Sequence, residues 1–141
     1  MFLVLSLAPE ESCAARCKVV ALIQLSKFDE AGKFIEKSKL RNELVFEEAY
    51  SLYRLNKSEA ALKLIEGSNI NPLPSNLKEL KAQVLYRLEN FEECFNLYKD
   101  IIKNSSDDYE EERATNFSAV IANLSIDGTV RFYSIALRLF S

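Results

Sequence analysis

The chain has 141 residues, enough for one domain with its own core, and its 48% apolar and 28% charged residues are the balance of an ordinary globular protein. A net charge of −3 and a pI near 5.2 speak against a nucleic-acid-binding face, which is normally basic. The absence of histidine removes the commonest general base and metal ligand, and three glycines with three prolines are too few for many short strands, which favours long helices.

The chain opens on the apolar run MFLVLSLA (1–8), which has no basic residues before it and Pro9-Glu10-Glu11 after it, unlike a secretory signal. No run reaches the roughly 18 apolar residues of a membrane span, so no membrane insertion is expected. Pro9 stands where a preceding helix pair would close. Residues 2–7 therefore read as the tail of a second helix whose partner is missing, and the chain reads as truncated at its start. Cys13, Cys17 and Cys94 are an odd set without framework spacing and read as reduced thiols of a cytoplasmic protein. Cys13 and Cys17, four apart, resemble half a zinc site that lacks its second ligand pair.

From Ser12 onward the chain repeats itself. VVALIQL (19–25) is followed thirty residues later by AYSLYRL (49–55), and that by AQVLYRL (82–88) at an offset of 33, with five of seven residues identical between the last two. Each stretch passes through a short polar joint into a second amphipathic segment, FDEA (28–31), SEAA (58–61) and FEEC (91–94). This period marks stacked helix pairs of the tetratricopeptide (TPR) kind. The expectation is an all-α, TPR-like α-solenoid of antiparallel helix pairs, about seven helices, with repeats at about 12–41, 42–74 and 75–108 and a partial one at 109–125. Val19, Ala31, Ala49, Ala61, Ala82 and Cys94 are the small positions where paired helices approach. Phe28, Ile35, Ile65, Phe91 and Tyr98 fill the space between pairs.

The acidic run Asp107, Asp108, Glu110, Glu111 and Glu112 reads as a helix start, with carboxylates capping free N–H groups and matching the dipole. Residues 126–141 form a divergent apolar tail after Gly128. With the bare start at 2–7, this tail is expected to promote self-association.

In such an array the first helix of each pair lines a concave groove. Phasing the repeats from Ser12, Asn42, Ser75 and Tyr109 turns toward it Arg16, Val20, Ile23 and Gln24, and then Phe46, Tyr50, Tyr53 and Arg54. It also turns Glu79, Gln83, Tyr86 and Arg87 toward the groove, followed by Arg113, Phe117 and Val120. Of these, Phe46, Tyr50, Tyr53, Arg54, Gln83, Tyr86, Arg87, Arg113 and Phe117 are the candidate binding residues, because tyrosine and arginine dominate binding hot spots. The alternative is that the tyrosines are inter-repeat core and the arginines solvated charge. No catalytic constellation, metal set or phosphate loop stands out, so an enzyme and a cofactor are not expected.

CKVVALIQ (17–24), FEEAY (46–50), YRLN (53–56), QVLYRLE (83–89) and above all DDYEEER (107–113), followed by Thr115, Asn116 and Ser118 to Val120, carry a more specific likeness. From Arg16 to about Ala122 the chain resembles the N-terminal TPR region of the family of 72-kilodalton signal recognition particle subunits. That resemblance implies a protein-binding scaffold that holds the C-terminal region of the 68-kilodalton partner subunit and supports cotranslational targeting to the endoplasmic reticulum. It implies contact with the particle's RNA only indirectly, because the lysine-rich C-terminal segment to which RNA contact is assigned has no counterpart here. The generic alternatives are a TPR adaptor for another peptide and a non-functional truncated product.

Overall fold

The computed structural model describes residues 2–105 and 107–126, with side chains from Glu11 onward. Among the described residues it is all-α. The helices are α1 (Phe2–Gln24), α2 (Phe28–Lys37), α3 (Val45–Arg54), α4 (Ser58–Gly67), α5 (Ser75–Arg87), α6 (Phe91–Asn104) and α7 (Glu110–Ile126), with a 3-10 turn at Arg41–Glu43 before α3. The chain thus adopts the expected fold class of TPR-like helix pairs. It divides into two compact units, one ending at Asn71 and the other beginning at Pro72.

The joints explain how so few glycines suffice. Three residues separate α1 from α2, α3 from α4 and α5 from α6, which leaves the paired helices no course but antiparallel. Ser26, Asn56 and Glu89 occupy equivalent places in these joints with φ of 58°, 61° and 60°. The N–H of the residue after each of them donates to a carbonyl five positions back: Lys27 to Leu22, Lys57 to Leu52 and Asn90 to Leu85, at 2.8–3.0 Å. This is the Schellman closure of a helix end, achieved here without glycine.

The first unit packs Val19 of α1, Ile35 of α2 and Leu44 into one cluster, with Ile23, Phe34 and Leu40 against it. The second buries Leu77, Leu80, Val84 and Leu85 of α5, Phe95, Tyr98 and Ile101 of α6, and Phe117, Val120, Ile121 and Leu124 of α7. The rings of Phe95 and Phe117 stack with centroids 5.0 Å apart. All six small positions, Val19, Ala31, Ala49, Ala61, Ala82 and Cys94, are 0% exposed. The Cys94 thiol donates to the Ala82 carbonyl across the α5–α6 contact, Sγ to O 3.2 Å.

One expectation changes. Residues 2–7 do not end a separate helix, because α1 runs unbroken through Pro9 to Gln24. A proline within a helix removes one backbone hydrogen bond. The apolar side chains of 2–7 and the tail from 127 to 141 lie outside the described residues.

Candidate protein-binding surface

On α3 the residues Phe46, Tyr50 and Arg54 stand at i, i+4 and i+8, one above the other on a single face. The rings of Phe46 and Tyr50 stack with centroids 6.1 Å apart and planes 19° from parallel. Phe28, the first residue of α2, meets Tyr50 edge-on, also at 6.1 Å. Arg54 lies across this aromatic group. Its guanidinium carbon is 4.8 Å from the Phe28 ring centre and 5.8 Å from that of Tyr50, and Nη1 donates to the Tyr50 hydroxyl at 2.9 Å. Phe46 and Tyr50 are half-buried and Arg54 is exposed. Three predicted site residues are therefore assembled in one place, while Tyr53, half-buried, lies off that row. Phe28, read from sequence as filler between pairs, forms the floor. An aromatic at a second-helix start was its only signal.

Arg16 of α1 reaches Glu43 at 3.9 Å and Glu47 at 3.6 Å, tying α1 to the start of α3. Behind the patch, Glu48 is 5% exposed and accepts two hydrogen bonds from Arg41, Nε at 3.1 Å and Nη2 at 2.7 Å. These bonds to Glu48, and then its charge, push the Arg41 guanidinium above its ordinary value. The bidentate pair fixes the 3-10 turn onto α3 and with it the height at which α3 begins.

In the second unit Tyr86 of α5 is 38% exposed, meets Phe91 edge-on at 5.5 Å and accepts a hydrogen bond from the Asn123 side chain at 3.2 Å. Arg87 beside it is exposed and Gln83 half-buried. Phe117 and Arg113 fare differently. Phe117 is 0% exposed in the core against Phe95, and Val120 is equally buried. Both lie with Ile121 and Leu124 on the buried face of α7, which Phe117 packs against α6.

Arg113, 5% exposed, donates from Nε to Glu79 of α5 at 2.8 Å and from Nη1 and Nη2 to Asp107 at 2.6 and 2.8 Å. Its guanidinium is engaged within the unit and binds the start of α7 to α5. Asp107 also accepts the Tyr109 N–H at 3.0 Å. The Arg113 hydrogen bonds, then that backbone bond, hold the Asp107 carboxyl below its ordinary value. Asp107 thus closes a turn just ahead of α7 and does not make the capping box with Glu110 that the spacing suggests, and its carboxylate serves an ion pair that no local pattern shows.

Burial pushes the Cys94 thiol up to about 12, which leaves it without nucleophilic character near neutrality. Among the described residues no group of three Cys, Asp or Glu side chains is placed to hold a metal ion. No helix among them is long and apolar enough to cross a membrane.

The family model SRP_TPR_like, a TPR-like repeat, matches residues 5–123. The chain is 49% identical over 122 residues to signal recognition particle subunit SRP72 of Homo sapiens and equally to that of Canis lupus familiaris, covering 84% of this chain and 18% of each relative. To signal recognition particle subunit SRP72 of Schistosoma mansoni it is 39% identical over 139 residues, 92% of this chain and 19% of the relative. The chain spans less than a fifth of the length of these curated relatives.

Proposed function

The chain belongs to the SRP_TPR_like family of TPR-like repeats, and on that footing we propose that it is a non-catalytic, protein-binding scaffold of the signal recognition particle, acting in the cytoplasm in cotranslational targeting to the endoplasmic reticulum. The family match across residues 5–123 carries this reading, since it takes in α2 to α6 whole and with them the aromatic–arginine patch. The proposed partner is the C-terminal region of the 68-kilodalton subunit. Phe46, Tyr50 and Arg54, with Phe28 beneath them, are the proposed centre of the contact. Tyr53, Gln83, Tyr86 and Arg87 remain proposed contacts, and Arg113 and Phe117 act by holding α7 in place. The repeat bounds 12–41, 42–74, 75–108 and 109–125 are proposed as the units of this scaffold.

The test is a titration of the whole chain with the recombinant C-terminal region of the 68-kilodalton subunit, followed by calorimetry. Saturable one-to-one binding is expected, and no heat and no co-elution would refute the reading. RNA contact is proposed to be indirect: with a net charge of −3 the chain releases few counterions on contact with phosphate. A mobility shift at physiological salt is expected to show no complex between the chain alone and the particle's RNA.

A further inference from the structure

We infer that the patch on α3 is a carboxylate clamp: Arg54, held over Phe28 and Tyr50, receives an aspartate or glutamate side chain of the partner segment, and Phe46 receives an apolar residue next to it. The inference rests on the scaffold reading above and names the chemistry of its partner.

An exposed arginine ordinarily samples many rotamers, and fixing one for a partner costs side-chain entropy. Arg54 already makes two contacts within the chain. Its hydrogen bond to the Tyr50 hydroxyl is 2.9 Å long and its guanidinium is 4.8 Å from the centre of the Phe28 ring. Those contacts use Nη1 and one face of the group. They leave the other N–H donors of this exposed side chain without a partner among the described residues, and a planar guanidinium fork matches the two oxygens of a carboxylate. Asp29, next to Phe28 in the chain, is itself bound by Lys33 at 2.8 Å. Arg54 also lies in the last turn of α3, where a cation suits the helix dipole without being consumed by it. Phe46, half-buried and stacked on Tyr50, extends the patch by one turn as an apolar step.

The experiment uses the whole chain and the same C-terminal region of the 68-kilodalton subunit. Arg54→Met keeps the aliphatic stem on the rings but removes the charge and the donors, and Arg54→Lys keeps the charge but loses the fork. Binding is expected to weaken at least about tenfold for Arg54→Met and less for Arg54→Lys, with helix content by circular dichroism unchanged in both. The salt dependence of wild-type binding is expected to shrink in Arg54→Met, as the loss of one ion pair requires. Binding by Arg54→Met within about twofold of wild type, with its salt dependence intact, overturns the clamp while the scaffold reading stands. Failure of the wild type to bind overturns the scaffold reading itself. Two other occupants give distinct results that also overturn the clamp: binding only to phosphorylated partner, or concentration-dependent self-association in sedimentation that Arg54→Met abolishes.

Discussion

At the scale of single residues, burial separates the three thiols. Cys13 and Cys17 are exposed, whereas Cys94 is 0% exposed with its thiol pushed up to about 12. A thiol reagent at neutral pH is expected to label two cysteines in the native chain and the third only on unfolding; three rapid labels would contradict the packing of α6 on α5. Asp107 gives a pH prediction. Folding lowers its carboxyl from 3.8, so it favours the charged form. The resulting stabilisation is present above about pH 3.8 and is lost as the pH falls through the lowered folded value. Wild type is therefore expected to lose thermal stability more steeply below about pH 4 than Asp107→Asn does, and parallel curves would show that the ion pair with Arg113 contributes nothing. Removing Arg41 leaves the carboxylate of Glu48, 5% exposed, without its two donors. The cost is the desolvation penalty of an unsatisfied buried group, so Arg41→Ala is expected to destabilise by about 1–2 kcal/mol in denaturant unfolding. That figure allows for the solvent that already reaches half of the Arg41 side chain.

At the scale of elements, helix stability can be raised without touching the core. Gly32 lies inside α2, and a Cβ built there meets nothing within 4 Å. Gly32→Ala is expected to stabilise the chain by about 0.5–1 kcal/mol, because alanine loses less backbone entropy on folding. Glu89 is a test of the joints. It holds φ at 60° in the α5–α6 closure, a region that costs a non-glycine side chain roughly 1–2 kcal/mol. Asn56 fills the same place between α3 and α4, and asparagine tolerates it better. Glu89→Asn should accordingly raise the melting temperature, and a drop would mean that the glutamate side chain supports the joint in some other way.

At the scale of the whole molecule, the chain breaks into its two units at Asn71 and Pro72. Asn69, Asn71, Pro72 and Pro74 of this connection are exposed and outside any helix. Limited thermolysin digestion is expected to cut first beside Ile70, because unprotected backbone between folded elements is where nicking concentrates; first cuts inside α3 or α5 would argue against two units. The sequence by itself determined the helix pairs, their joints and their close contacts. Recurrence every 30 to 33 residues reports which positions must be small or apolar wherever the array is built, so Ala49, Ala82 and Cys94 were legible before any coordinates. Only the tertiary structure decided which of the conspicuous side chains are surface and which are interior. Phe117 and Arg113 look like groove residues under a fixed period, yet both are buried, because the face that α7 turns inward depends on how it packs against α5 and α6. The partners of Arg54, Arg41 and Arg113 were hidden for a related reason. Phe28 lies 26 residues from Arg54, and Glu79 lies 34 from Arg113. Ion pairs and ring contacts of that reach depend on where the elements pack, which no periodic pattern along the chain records.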